Sequence, residues 1–383
     1  MATPAAPPLS LLHHFADLDD PRADHTKRHG LLDIIALTVC AVVSGADAWT
    51  DVETYGLHKQ PWLETFLELP NGIPSHDTLG RVFAALDPAA FQRCFVSWMR
   101  AVVDASRGRL VAIDGKALRH SFDAARGKSA LHLVSAWASA NHLLLGQCAV
   151  DEKSNEITAI PELLKLLDLQ GALVTIDAMG CQKRIAADII AAGADYVLAV
   201  KENQPGLYAD VERVFLDGLE DDFAGLDYRY YRTADEGHGR KEVRHYHLLT
   251  APAALAGAHA DFAGLRTIGM VFSERQVGDG PVAVETRFYI SSLRPQVKAF
   301  AGAVRGHWSV ENQLHWVLDV AFQEDASRVR KDHAPENLGL VRRIALSLLK
   351  RAPSKKKVGV ACKRKQAGWN DDYLVQVLLG QQE

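Results

Sequence analysis

Between residues 109 and 216 the chain alternates short apolar runs with amphipathic stretches, and this alternation limits the fold more than any other feature. RLVAIDG (109–115), ALVTIDA (172–178) and DYVLAVK (195–201) have strand length and strand composition. PELLKLLDL (161–169), QKRIAADIIAAG (182–193) and GLYADVERVFL (206–216) repeat apolar residues at helical spacing, the second with a glycine stop. LHLVSAWAS (131–139) and HLLLGQCAV (142–150) flank Ala140-Asn141 and read as a hairpin. Strands alternating with helices predict an α/β core built on a sheet that contains this hairpin.

The flanks differ in texture. Residues 9–104 read as helical. LLDIIALTVCAVV (31–43) is apolar nearly all round, as in a buried helix. GIPSH (72–76) is a turn leading into DTLGRVFAAL (77–86), and Asp87-Pro88 is an N-cap with proline at the first helical position. Two short helices joined so tightly fit a helix-turn-helix-like unit or, equally well, a plain packing module. Residues 223–292 are strand-rich: YRYYRTAD and KEVRHYHLL flank EGHGR, and LRTIGMVFSE and AVETRFYISS follow. They form either an insertion or an extension of the sheet. After residue 296 the chain is helical again, with HWSVENQLHWVLDVAF (307–322) the clearest helix. The boundaries read as a helical domain 1–105, a core 106–350 with a β-rich insertion at about 218–292, and a basic C-terminal segment 351–383.

Several function classes fall away. The longest apolar run, Ile34–Val43, is half of the roughly 20 residues that a membrane-crossing helix needs. MATPAAPPLSLLHH has no basic leader pattern. The five cysteines are scattered, which fits reduced thiols and a cytoplasmic protein. Net charge is only −4, yet residues 342–365 hold ten lysines and arginines and no acid. Such a run reads as a phosphate-binding surface or as a solvated tail.

Asp114 and Asp177 each end an apolar run in the order Ile, Asp, small residue. At the edge of a sheet, with Gly115 and Ala178 behind them, two such carboxylates face one point if their strands are neighbours. Paired anions are costly unless a cation lies between them, and a hard divalent ion with oxygen ligands satisfies that need. Either residue alone reads equally as a turn or cap. Further on, His307, Glu311, His315 and Asp319 are spaced by four and form one polar helical stripe between Trp308 and Trp316. The stripe is either solvated or functional. A zinc hydrolase built on His307, Glu311 and His315 is a rival reading, without the HExxH form that would make it specific.

The residues then point to a family. AIDGKALRHS (112–121), DEKSNEITAIPELL (151–164), TIDAMGCQKRIA (175–186), YVLAVKENQ (196–204), EGHGRKEVR (236–244) and RGHWSVENQLHWVLDVAFQED (305–325) resemble the ISAs-type insertion-sequence transposases, the H-repeat-associated protein family. DHTKRHGLLDIIALTVCAVVSGA (24–46) and NGIPSHDTLGRVFAALDP (71–88) extend the resemblance over nearly the whole chain. The resemblance implies an RNase H-like DDE catalytic core with Asp114, Asp177 and Glu311 as catalytic residues and metal ligands. It implies two Mg²⁺ ions, with Mn²⁺ able to substitute, and Asp114 bridging them. Partners would be DNA, both the element's terminal inverted repeats and the target, engaged by a homodimer, with nucleoid association when bound. Water would free a 3′-hydroxyl at the element end, and that hydroxyl would attack target DNA.

Lys116, Arg119, Lys201 and Asn203 follow carboxylate strands or a neighbouring one and are candidates for positioning phosphates, as are Lys355, Lys356 and Lys357 in the basic run. One departure stands out. Many related transposases carry tyrosine, arginine and lysine seven before, four before and seven after the glutamate, where this chain has Val304, His307 and Leu318. His307 or Arg305 then takes the arginine's place, with His315 a further candidate DNA contact. A domesticated DNA-binding protein that has lost transposition is the alternative; all three carboxylates being present counts against it.

Overall fold

The structure is a computed structural model that describes residues 10–102, 110–122, 129–139, 142–150, 155–237, 239–354, 356 and 358–379. The chain opens with helices α1 (Ser10–His13), α2 (Leu31–Val43), α3 (Trp49–Leu63), α4 (His76–Ala85) and α5 (Pro88–Val102). β1 (Leu110–Ala117), β2 (His132–Ala138) and β3 (Leu143–Val150) follow, then α6 (Glu156–Leu166), β4 (Leu173–Ile176), α7 (Lys183–Ala191), β5 (Asp195–Val200) and α8 (Pro205–Glu220). Next come β6 (Tyr228–Gly237), β7 (Arg240–Thr250), α9 (Ala253–Ala258), β8 (Thr267–Val277) and β9 (Ala283–Ser291). The chain ends in α10 (Val297–His307), α11 (Trp316–Phe322), α12 (Ala334–Arg351), α13 (Val360–Trp369) and α14 (Asp371–Leu379).

All nine strands join one sheet in the order β3-β2-β1-β4-β5-β9-β8-β7-β6. Its centre is parallel, β1 with β4 and β4 with β5, and both flanks are antiparallel. Val174, Thr175 and Ile176 of β4 and Tyr196, Val197 and Leu198 of β5 are buried, as befits parallel strands covered on both faces. The strand-rich stretch is a sheet extension: β9 pairs antiparallel with β5, and β8, β7 and β6 add outward from it. The predicted hairpin is present as β2 and β3; its turn, Ala140-Asn141, lies outside the described residues.

The front helices do not stand apart. α2 is buried along almost its whole length, and Asn337 of α12 donates to the carbonyls of Phe83 (2.8 Å) and Leu86 (3.0 Å) at the end of α4. α5 is capped as its sequence predicts, and α4 is capped by Ser75 at the end of the predicted turn. Ser75 accepts from the Thr78 amide, and Asp87 accepts from the amides of Ala89 and Ala90.

The basic run folds differently from a charged surface. Arg342, Arg343, Lys363 and Arg364 are buried. Arg343 pairs with Glu324 at 2.6 Å with both side chains fully buried. Lys363 donates to the carbonyls of Leu349 and Ala352, and Arg364 to those of Val42 and Ala46 and to Asp47. These cations tie the C-terminal helices to α2 and to the helix that follows the site. Sequence reading missed this because a charge count carries no information on burial. Among the described residues no helix is long and apolar enough to cross a membrane.

Candidate active site

β1 and β4 run parallel in the register Ile113↔Ile176, so the next residue on each chain is an aspartate. β4 stops there because Asp177 caps a short 3₁₀ turn, accepting from the amides of Met179 (3.1 Å) and Gly180 (3.4 Å). β1 does not stop. It continues to Ala117 on the β2 side, so Asp114 lies within a strand and at the end only of the β1–β4 pairing. The two carboxylates emerge side by side at the carboxyl edge of the parallel strands, where open α/β sheets present their ligand sites.

Glu311 reaches the same place from another element. The expected single helix over 307–321 is interrupted: α10 ends at His307, and residues 311–315 form a wider π turn before α11. Such a turn shifts the residues after it around the axis, and π turns recur at functional sites. Glu311 opens this turn and lines a cavity of about 960 Å³ with Asp114, Asp177, Lys201, Arg287 and Trp308.

The electrostatics of the pair are one-sided. Burial, then the charge of Asp177, push the Asp114 carboxyl up to about 7. Burial, then the charge of Glu156, raise Asp177 as well, and the amides of Gly180 and Met179, with Lys201 after them, offset this only in part. His315 Nδ1 is 3.5 Å from Asp114 Oδ2, but burial, then Arg343, lower its pKa to about 3, so this imidazole is neutral and leaves the carboxylate uncompensated. The donors are all oxygen and their excess charge is negative, the set that a hard divalent cation prefers. Among the described residues no three His, Cys, Asp or Glu side chains already stand together as a metal cage, whether of carboxylates or of His307, Glu311 and His315.

The candidate phosphate contacts separate into three kinds. Lys201 is exposed at the cavity. Lys116 turns inward, with Nζ 2.7 Å and 2.8 Å from the Asp319 oxygens and 3.1 Å from Asp325, and Arg119 also reaches Asp325, at 3.4 Å. Asn203 donates to the Ala178 carbonyl at 2.6 Å and so braces the Asp177 turn. Arg305 pairs with Asp235 of β6 at 2.9 Å. His315 is buried. His307 is held by Thr175 Oγ1 at 3.1 Å, and burial, then Arg287, lower its pKa to about 4, so it is no cationic replacement for an arginine. Lys356 is exposed, while Lys355 and Lys357 lie outside the described residues.

Sequence reasoning passed over Arg287 and Glu156. Arg287 of β9 lies 4.4 Å over the Trp308 ring, a cation–π contact on the cavity wall. Its signal was weak, one arginine in AVETRFYISS. Glu156 sits in the quoted stretch DEKSNEITAIPELL, where nothing in the local pattern sets it beside the aspartates.

Comparison with known proteins shows the family. Residues 12–99 match the family described as DDE_Tnp_1-associated, and residues 105–348 match the Transposase DDE domain. The chain belongs to the DDE transposase family. YncI of Escherichia coli O157:H7, which carries a transposase name, is 42% identical over 371 residues, covering 96% of this chain and 94% of that one. YhhI of Escherichia coli K12, named as H repeat-associated, is 39% identical over 377 residues, covering 97% and 98%. The resemblance read from the sequence is therefore to the right family. A piggyBac transposase synaptic complex with hairpin DNA aligns at a TM-score of 0.41 and 10% identity over 96% of this chain and 77% of that one, too slight a likeness to carry an argument.

Proposed function

We propose that this DDE transposase cuts phosphodiester bonds at the ends of its element and joins them to target DNA, with Asp114, Asp177 and Glu311 as its catalytic carboxylates. The observation that carries the reading is the β1–β4 register, which sets two aspartates with raised pKa at one sheet edge beside a cavity that Glu311 also lines. The strand order β3-β2-β1-β4-β5 supports an RNase H-like core, with β9 to β6 as its extension.

Asp114, Asp177 and Glu311 would hold divalent ions, Mg²⁺ or Mn²⁺. Bound there, the ions would supply Lewis-acid activation of the attacking oxygen and charge neutralisation of the leaving one. The protein's own part is placement. Lys201 and Arg287 give the cavity positive charge for a phosphate, and His307, neutral and tied to Thr175, shapes its floor without adding charge. Water attacks phosphorus and breaks its bond to the 3′ oxygen, leaving a 5′-phosphate and a 3′-hydroxyl; that hydroxyl then attacks a target phosphodiester, and the target's own 3′ oxygen departs as a hydroxyl. Two ends cut in concert require two such sites, hence a homodimer on DNA, working in the cytoplasm on the nucleoid.

The test separates binding from cutting. Asp114→Asn, Asp177→Asn and Glu311→Gln are each expected to reduce nicking of end DNA in Mg²⁺ to background while gel-shift affinity holds. A variant that nicks near the wild-type rate removes its residue from the site. Wild-type protein that binds ends but never cuts, with any divalent ion, favours a domesticated DNA-binding protein.

A further inference from the structure

Gly115, directly after Asp114, is occupied from outside. A Cβ built there would meet Glu156 Oε1 at 2.0 Å and His132 Nε2 at 2.6 Å. The Glu156 carboxylate therefore lies against the backbone that carries Asp114. Glu156 is the first residue of α6, where Asn155 caps the helix by accepting from the Ile157 amide. Its side chain is only 14% exposed, and its Oε1 is 2.7 Å from His132 Nε2 on β2. α6 packs against β2, β3, α7 and the turn after β4. Glu156 is thus held from two sides, by a helix start and by an imidazole, with its charge felt by both Asp114 and Asp177.

A carboxylate in this place is unfavourable for the fold by itself, since like charges so near one another repel. A second observation points the same way. His315 is more than nine-tenths buried beside Asp114, and its Nε2 has no hydrogen-bond partner. Nδ1 is the ring nitrogen that faces Asp114, and the imidazole, its pKa lowered by burial and then by Arg343, adds no charge to answer the clustered carboxylates.

We propose that Glu156 is a fourth acidic residue of this centre, contributing to the hold on the divalent cation, and that His132 is its positioning residue. The absence of a side chain at residue 115 is then part of the site, because it leaves room for the carboxylate. This rests on the reading that Asp114 and Asp177 are metal ligands.

The test uses full-length protein and Mn²⁺, with free ion followed by its electron paramagnetic resonance signal and folding by far-ultraviolet circular dichroism. Glu156→Gln keeps the side-chain volume and is expected to weaken Mn²⁺ binding about tenfold or more, as loss of a supporting carboxylate does at metal sites. Gly115→Ala changes no charge. Its Cβ meets the ends of the Glu156 and His132 side chains and no backbone, so both must shift; with circular dichroism unchanged, a comparable loss of Mn²⁺ affinity is expected. His132→Ala should give a smaller loss. If Glu156→Gln and Gly115→Ala both bind Mn²⁺ as wild type while Asp114→Asn and Asp177→Asn do not, Glu156 is only a helix-start residue and the inference fails alone. If the aspartate variants also bind as wild type, the metal reading fails with it.

Discussion

Two groups of charges gather near Glu311, and they are built on opposite principles. In one, Glu324 has Arg343 at 2.6 Å, and Asp319 and Asp325 share Lys116 at 2.7 Å and 3.1 Å. Every acid there has its cation. In the other, Asp114 faces Asp177, Glu156 and Glu311, and the cations within reach, His132 at Glu156 and Lys201 near Asp177, leave Asp114 itself facing only a neutral imidazole. The first arrangement is complete as folded. The second carries charge that folding leaves unanswered, which is the mark of a place reserved for something else. Residue type does not tell the two apart, since both consist of Asp, Glu, His and basic residues; only the pairing does.

The comparison breaks most visibly if the complete group is opened. Arg343→Met strands Glu324 in a fully buried position, and removing one partner of a buried pair costs about 3–5 kcal/mol. The variant should show that loss in urea denaturation, and Arg343→Met with Glu324→Leu should recover most of it, because an apolar pair of similar volume has no charge to desolvate. An unchanged midpoint in the single variant would show that the pair contributes nothing to stability.

The open group should respond in the opposite direction. The folded Asp114 pKa of about 7 lies above the ordinary carboxylate value of about 3.9. The folded state therefore holds this proton more tightly than the unfolded chain does. The stability that this gives is full below about pH 4 and is lost as pH rises through about 7. Asp114→Asn has no such proton to lose. In chelator the variant should be the more stable protein at pH 8, by on the order of 2 kcal/mol after allowance for a side chain that is a quarter exposed, and the gap should close at pH 4. Mg²⁺ should narrow the gap at pH 8 by stabilising wild type alone. Parallel pH profiles would remove the electrostatic argument for a cation at the pair.

These two groups also differ in how far the sequence announces them. The Asp114 and Asp177 pair is legible because both follow the same apolar run ending in isoleucine, although only β4 stops there and β1 continues to Ala117. The α/β core and the sheet extension are legible for the same reason. Glu311 was placed by the polar stripe and the family resemblance, but the π turn under it was not, since a clean four-residue spacing predicts an unbroken helix. Lys116 and Glu156 were beyond reach. Lys116 lies on β1 two residues after Asp114, yet its partners are Asp319 and Asp325, some two hundred residues later. Glu156 meets His132 across a helix and a strand joined by a long excursion. Long-range closure of this kind is set by packing, and single-sequence patterns do not record it.

The smallest expected effect concerns the basic run, where the same distinction between answered and unanswered charge divides one segment. Taken as ten solvated cations, residues 342–365 should dominate the salt dependence of DNA binding. The fold removes Arg342, Arg343, Lys363 and Arg364 from that count, since their donors end on carbonyls, Glu324 or Asp47. Lys356 and Lys365 remain exposed. Each phosphate contact contributes about −0.9 to the slope of log affinity against log salt, so neutralising Lys356 and Lys365 should flatten the slope by about 1–2. Preference for element ends over random DNA should stay as it was, because phosphate contacts carry no sequence. Lys363→Met and Arg364→Met belong to the other class: they should lower the urea midpoint, since each strips buried carbonyls of their donor, and leave the slope of the folded protein unchanged. A slope that flattens for Arg364→Met but not for the two exposed lysines would reverse the assignment and put the DNA path across the junction of α13 with α2.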